Sequence, residues 1–331
     1  MLVHAMAAMH RGAALTPWQY ETPQLGPYDC ILQVKACGLC HSDIHVIDGA
    51  FEPTYPVVPG HEVVGEVIEK GAMVRHLKIG DRVGVGWQRS SCFGCRDCLA
   101  GNENLCAKKQ AVITNGYGGF GDYLFMDSGF CFPLPAGIAT VAAGPLLCGG
   151  VTVYSGLRNA GMSSGQEIGV LGVGGLGHLA IQFAARLGNR VTAFTTSPDK
   201  ADLAVRLGAH AAVVTAPEKP AVPRPLDILV STAPAKLDWN AYLELLGANG
   251  TMVFLAIMTE PLALNPLLLL TKQRRVMGSV IGGRSTILET LDIADRFGVA
   301  PVIETFPLSE VNTAISKLRD NTIRFRAVVL M

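Results

Sequence analysis

The chain predicts a two-domain α/β protein, in which an irregular, mostly-β part is joined to a doubly wound parallel-sheet part. Three observations carry this. At 331 residues the chain is long for one hydrophobic core, and with 49% hydrophobic residues it has core material for two. Up to about residue 149 it is rich in glycine, proline and short β-branched runs, such as Cys30 to Ala36 and Val63 to Ile68, which read as short strands joined by turns. After that the rhythm changes to strands alternating with helices, the pattern of a parallel sheet.

The elements of the second part follow in order. Gln166 to Leu171 is a short apolar strand, followed by Gly172-Val173-Gly174-Gly175-Leu176-Gly177. A helix is expected next, with Leu176, Leu179, Ala180, Phe183, Ala184 and Leu187 on one face. Arg190 to Phe194 reads as a strand, and Asp199 to Leu207 as a helix closed by Gly208. Ala211 to Thr215, Leu226 to Ser231 and Thr251 to Ala256 continue the strand series. Between two of these, residues 216–225 carry Pro217, Pro220, Pro223 and Pro225, which predicts an extended, polyproline-like crossover in place of a helix. Beyond Gly283, helical patterns at Thr286 to Phe297 and Ser309 to Leu318 precede a last strand, Arg326 to Leu330.

Charge excludes some functions. Lysine plus arginine equals aspartate plus glutamate at 27 each, without a basic run, so the footprint of a nucleic-acid binder is missing. The first nine residues lack the basic start and continuous apolar segment of a secretory signal. The apolar stretch Leu262 to Leu270 is broken by Asn265 and Pro266 and is too short to span a bilayer. The expectation is a cytoplasmic protein with no membrane partner, whose nine cysteines are thiols and metal ligands and not bridges.

Four of those cysteines, Cys92, Cys95, Cys98 and Cys106, fall within one short stretch. Four thiolates at such intervals can close a tetrahedron around one zinc ion, and a site with four protein ligands is structural. The alternatives are two disulfides or four idle thiols, and disulfides belong to small secreted domains.

The glycine run Gly172-x-Gly174-x-x-Gly177 follows a strand and opens a helix, the context that turns a weak motif into a dinucleotide fingerprint. The first glycine permits the tight turn. The second lets the backbone approach a pyrophosphate, and the third allows close helix–strand packing. An NAD site places an acid at the end of the next strand; this chain has Thr195, Thr196 and Ser197 there, with Lys200 beyond, which favours the 2′-phosphate of NADP(H). Asp199 lies past the turn and reads as a capping or solvent-facing residue.

Three further segments carry ligand chemistry: Cys37-Gly38-Leu39-Cys40-His41-Ser42-Asp43-Ile44-His45, then Gly60-His61-Glu62, then Leu147-Cys148-Gly149-Gly150. With the quartet, the glycine loop and Gly278-Ser-Val-Ile-Gly-Gly283, the sequence resembles the zinc-dependent medium-chain alcohol dehydrogenases over essentially its whole length. Within them it is most similar to the cinnamyl-alcohol-dehydrogenase branch and its bacterial broad-range aldehyde reductases.

The resemblance implies a zinc-containing, GroES-like, mostly-β catalytic domain over 1–149 and 284–331, and a Rossmann dinucleotide-binding domain over 150–283. It implies that Cys40, His61 and Cys148 bind a catalytic zinc, leaving a fourth position open, while Cys37 is structural. Asp43 accepts the imidazole N–H of His61, and Glu62 lies beside the metal, where its bland alternative is a buried, paired carboxylate. Ser42 and His45 match the proton relay, and His41 matches a contact to the cofactor pyrophosphate. Thr152 matches a residue beside the nicotinamide, and Gly175 and Leu176 complete the cofactor loop. Trp87 falls in a stretch that lines the substrate pocket, where an indole favours planar or medium apolar aldehydes.

The implied activity is that of an NADP-dependent alcohol dehydrogenase or aldehyde reductase, with hydride passing between NADP(H) and an aldehyde–alcohol pair. By the same analogy, Asn265 to Leu270 and a strand from Arg275 to Ile281 form the contact of a homodimer. Two other readings stand beside it. One is an NAD-linked polyol or secondary-alcohol dehydrogenase on the same fold. The other is a non-catalytic zinc-binding structural protein, which leaves Cys40, His61, Cys148 and the glycine loop unexplained.

Overall fold

Cys30, Ile31, Leu32, Val34, Ala36, Cys37 and Leu39 are all 3% exposed or less, a nearly continuous apolar run that lets one strand, Asp29–Leu39, be covered on both faces. This computed structural model describes every residue except 115, 216–219, 235 and 259. The chain divides into two compact units. One comprises Met1–Cys148, Gly282–Arg296 and Ala300–Met331; the other comprises Gly149–Ile281 and Phe297–Val299.

In the first unit, Asp29–Leu39 pairs antiparallel with Glu62–Lys70 along one edge. Its other edge is shared, with Tyr123–Asp127 pairing along the N-terminal half and Arg326–Leu330 along the C-terminal half. The sheet runs Ile303–Pro307, Arg326–Leu330, Asp29–Leu39, Glu62–Lys70, Arg82–Val85, Phe132–Pro133. The last strand of the chain thus belongs to the sheet of its first part, with Ala327 opposite Leu39 and Glu62 opposite Gly38.

The second unit holds a six-stranded, all-parallel sheet in the order Ala211–Val214, Arg190–Thr195, Glu167–Leu171, Leu226–Ser231, Leu246–Phe254, Arg275–Gly278. Numbered along the chain this is 3-2-1-4-5-6, the doubly wound order of dinucleotide-binding sheets. Phe194, Leu226, Leu229, Trp239, Tyr242 and Leu246 form much of its core, and Trp239 meets Phe254 edge to face with ring centroids 4.9 Å apart.

Several expectations are adjusted. The helix Gly177–Arg186 is buried over all of Gly177 to Ala184, not on one stripe, and so buries His178 and Gln182 as well. A helix buried all round takes polar residues only where their groups find partners, and the His178 ring nitrogen lies 3.0 Å from the Gly174 carbonyl. The expected strand Thr251 to Ala256 begins earlier, at Leu246, across a register shift between Leu226 and Ile228. The expected strand from Arg275 ends at Gly278. The helix expected from Ser309 starts at Val311, after a 3-10 turn Leu308–Glu310.

Of the proline-rich crossover, residues 216–219 lie outside the described residues, and residues 220–225 carry no helix or strand. One helical stretch among the described residues, Thr140–Asn159, is long and apolar enough to cross a membrane, but it is mostly buried inside the protein, as a core helix is.

Candidate active site

Cys40 ends the buried strand and starts the helix His41–Ile47 as its N-cap. The helix is closed by Asp43, whose Oδ2 accepts the Cys40 backbone N–H at 2.9 Å. The other oxygen of the same carboxylate accepts the Gly60 N–H at 2.9 Å and meets His61 Nδ1 at 2.8 Å. One fully buried carboxylate therefore caps the helix, pins the next segment and orients its imidazole. With Nδ1 on Asp43, His61 turns Nε2 toward Cys148 Sγ, 3.3 Å away.

Cys148 arrives on a π-helical turn, Leu146–Gly150, following the helix Thr140–Pro145. Such a widened turn recurs at functional sites because it re-aims side chains within a continuous helix.

Ligand atoms of Cys40, His61, Glu62 and Cys148 all lie within 4.8 Å of one another. Glu62 is fully buried and Arg326 is 6% exposed; the guanidinium donates to Glu62 Oε1, while Glu62 Oε2 has no partner. The sheet register explains the pair, since Ala327 stands opposite Leu39 and Glu62 opposite Gly38. Gly38 is required here: a Cβ at that position would lie 2.9 Å from Glu62 Cβ, and closer still to its carboxylate.

The buried donors strongly perturb one another. Cys148 donates toward Cys40, and with His61 and Arg326 nearby this holds the Cys40 thiol well below its usual range. The same contact, together with burial, holds Cys148 well above it. Burial alone would lower His61, but the Asp43 carboxylate and Cys40 raise it well above normal. Burial pushes Glu62 up to about 7 against the pull of Arg326. Two sulfurs, one imidazole nitrogen and an unpartnered carboxylate oxygen converge, and this donor set suits zinc. Cys37 is fully buried, lies outside this group, and directs its Sγ to the Gly38 carbonyl at 3.5 Å.

Ser42 and His45 are half-buried on the helix His41–Ile47, with Ser42 Oγ 3.9 Å from Cys40 Sγ. His41 is solvent-exposed on the same helix, and partial desolvation of its ring by the packed neighbourhood holds its pKa below the usual imidazole value. Trp87 is half-buried and meets the His61 ring edge to face, with centroids 5.1 Å apart.

Sequence reasoning missed Phe51, whose ring lies 5.8 Å from that of Trp87. Phe51 is 50% exposed with φ 63°, and Glu52 follows with φ 49°. Two consecutive non-glycine residues in the left-handed region mark a segment held against local preference. The signal available beforehand was weak: a lone aromatic in a turn after Gly49. Arg326 was also missed as a partner of Glu62, because 264 residues separate them.

The quartet forms a second group, with Cys92, Cys95, Cys98 and Cys106 ligand atoms within 4.8 Å of one another. Backbone N–H groups of Gly94 and Cys95 lower the Cys92 thiol to about 6. The Cys98 N–H pulls Cys95 down, but burial and the surrounding thiols outweigh it and push Cys95 up to about 11. The quartet loop is tied to the rest of its unit through buried Glu103, which accepts the Arg284 backbone N–H at 3.0 Å.

In the second unit the glycine loop has the shape of a phosphate cradle. Gly172 has φ +93°, a conformation L side chains rarely adopt, and a Cβ on Gly177 would lie 1.8 Å from the Gly172 carbonyl oxygen. Around Gly174 a Cβ would meet nothing within 4 Å, so this stretch of backbone is open to approach. Thr195 is buried and its hydroxyl accepts the Ser197 N–H at 3.3 Å. Thr196, Asp199 and Lys200 are exposed at the end of that strand and the start of the helix Pro198–Arg206. Thr152 is buried in the helix Val151–Asn159.

Comparison with known proteins agrees with this layout. The alcohol dehydrogenase GroES-like domain matches residues 26–136, and the zinc-binding dehydrogenase family matches residues 175–296. The chain belongs to the zinc-binding alcohol dehydrogenases, and its fold is a GroES-like domain joined to a Rossmann domain. It is 40% identical to the aldehyde reductase AdhA of Synechocystis sp., over 99% of this chain and 98% of that protein. The structure resembles the cinnamyl alcohol dehydrogenase SbCAD4 of Sorghum bicolor, with TM-score 0.93 and 37% identity, over 99% of this chain and 97% of that one. It also resembles CAD from Helicobacter pylori complexed with NADP(H), with TM-score 0.92 and 28% identity, over 100% and 98% of the two chains.

Proposed function

We propose that this chain is a broad-range aldehyde reductase that interconverts aldehydes and primary alcohols with NADP(H). Its metal ligands are Cys40, His61 and Cys148 for a catalytic zinc, and the quartet for a structural one. The observation that carries the proposal is the convergence of two sulfurs and an imidazole nitrogen, from three distant segments, on one buried point beneath Trp87. When bound there, zinc supplies a Lewis acid that favours negative charge on the substrate oxygen.

The chain's own residues do the rest. Asp43 keeps the proton on His61 Nδ1, so that Nε2 offers its lone pair. Ser42 Oγ, beside Cys40, gives or takes the hydroxyl proton, and His45 on the same helix passes it toward solvent. Trp87 and Phe51 keep water from the imidazole and form an aromatic wall for an apolar aldehyde. The Gly172–Gly177 turn offers backbone N–H groups to a pyrophosphate. Residues 1–149 with 284–331 act as the zinc-containing part and residues 150–283 as the cofactor-binding part, a division supported by the compact units.

NADP(H) is favoured over NAD by the exposed Thr196 and Lys200 and by the absence of a carboxylate at the last position of the strand Arg190–Thr195. The bound cofactor of the Helicobacter pylori protein supports the same choice. KM for NADPH is expected to fall at least about tenfold below that for NADH, since a charged partner for the 2′-phosphate is worth about 1.5–3 kcal/mol. Equal or inverted constants would remove the assignment.

A cytoplasmic location is supported by the way the chain uses cysteine, with six of its thiols gathered into two metal-ligating groups, which suits a reducing compartment. A homodimer is supported by the strand Arg275–Gly278, which ends its sheet, and by exposed Leu267, Leu270 and Val280 in the same stretch of chain.

A screen of NADPH oxidation across aliphatic, aromatic and cinnamyl-type aldehydes, with mannitol and secondary alcohols in the reverse direction, tests the function. Aldehydes should lead; a clear preference for polyols or secondary alcohols with NAD contradicts the reading. Trp87→Ala should shift kcat/KM by about tenfold toward bulkier aldehydes relative to short ones, the scale on which small changes in an apolar pocket discriminate. An unchanged ratio would place Trp87 outside the substrate wall.

A further inference from the structure

Three cysteines, Cys30, Cys37 and Cys131, take no part in either metal-ligating group, and two of them meet each other. Cys30 and Cys131 are 0% and 2% exposed, are 101 residues apart in sequence, and bring their sulfurs to 3.3 Å. Cys30 lies in the central strand of the first unit's sheet, opposite Met126 on one side and Lys70 on the other. Cys131 directly follows the 3-10 turn Ser128–Phe130, which is tied back by the Ser128 N–H to the Tyr28 carbonyl at 3.0 Å.

We infer that Cys30 and Cys131 are a redox modification site that closes into a reversible intramolecular disulfide under peroxide. Each thiol already stands within closing distance of the other, and the quartet and Cys40 need not be disturbed. In the balanced reaction, peroxide oxidises one thiol to a sulfenic acid with release of one water. The second sulfur then displaces the hydroxyl as a second water and forms the S–S bond. Two thiols and one peroxide thus give one disulfide and two waters, and a dithiol reductant reverses it. The Cys30 contact and burial hold the Cys131 thiol well above its usual range, so the reaction is slow; a small peroxide can reach these sulfurs where a bulky disulfide oxidant has no approach.

The position gives the link a consequence. The turn before Cys131 offers its Gly129 carbonyl to Arg284 Nε at 2.6 Å, and Arg284 donates its backbone N–H to Glu103 in the quartet lobe. The same guanidinium lies over Phe93, inside the quartet loop, and over Phe130, inside the turn, at 5.3 and 5.8 Å from the ring centroids. A bond at Cys131 therefore fastens the turn on which the quartet loop rests, and constrains the unfolded chain as well.

The inference is independent of the dehydrogenase reading. Zinc-loaded full-length protein is treated with equimolar hydrogen peroxide, quenched in acid with an alkylating agent, and mapped as non-reduced peptides. A Cys30–Cys131 linked peptide should accumulate and disappear on adding dithiothreitol. Zinc content should be unchanged, and the thermal unfolding midpoint should rise relative to the reduced sample. Cys131→Ala, with Cys30→Ala as the alternative variant, should keep turnover and show neither the link nor the rise. The idea is overturned if both residues remain alkylated as free thiols while the quartet oxidises and loses zinc. It is equally overturned if the alanine variant shows the same rise in midpoint.

Discussion

Cys40→Ser protein is expected to lose about a thousandfold or more in kcat while still binding NADPH, because the metal's stabilisation of transition-state charge is worth several kcal/mol. Serine is close in size but keeps its proton at neutral pH, and it offers zinc a hydroxyl oxygen where a soft thiolate stood. The environment of Cys40 favours the thiolate, through the Cys148 contact and the nearby His61 and Arg326. The Gly172–Gly177 turn belongs to the other compact unit and is untouched by the change. Steady-state kinetics and a fluorescence titration with NADPH separate the two effects. Turnover within tenfold of the unaltered chain contradicts the ligand assignment.

Arg326→Met is expected to destabilise the folded state by about 3–5 kcal/mol, the cost of leaving a buried partner of an ion pair uncompensated. Glu62 is fully buried, and its Oε1 accepts from Arg326 while Oε2 has no partner, so removing the guanidinium leaves a carboxyl with nothing to pair it. Combining it with Glu62→Gln should recover much of the loss, since the neutral amide no longer presents an unpaired charge. Urea unfolding of the unaltered chain and the two variants measures this. A loss under about 1 kcal/mol would mean that the pair is solvated and contributes as a surface pair does.

The legible parts of the molecule were those whose information is local. The strand–glycine–helix order around Gly172 to Gly177 was readable because the turn, the cradle and the helix start are adjacent in sequence. The quartet was readable for the same reason, since its four sulfurs fall within one loop and meet in space. Cys40, His61 and Cys148 were different. Each segment taken singly was ambiguous, and only the family resemblance joined them; the structure brings their ligand atoms together through a helix cap, an Asp43 clamp and a π-helical turn.

What stayed hidden depends on pairing between remote strands. Arg326 reads as one polar residue at the start of a strand, and only the register of that strand against Leu39 places it on Glu62. Glu103 and Arg284 are in the same position, joined across 181 residues. Phe51 was hidden for another reason: its left-handed backbone, which aims the ring at Trp87, leaves no periodic mark in the sequence. The full burial of the helix Gly177–Arg186 likewise exceeds what its apolar stripe implied, because His178 and Gln182 are accommodated by hydrogen bonds to carbonyls of their own segment.

The most direct test of the central claim follows turnover against bound zinc while a chelator slowly strips the folded protein. Two ligand groups predict two zinc ions per chain. Activity should fall in step with loss of the ion held by Cys40, His61 and Cys148, and should return when zinc is restored. A sample that has lost that ion, keeps its far-ultraviolet circular dichroism and still turns over at the full rate contradicts the account.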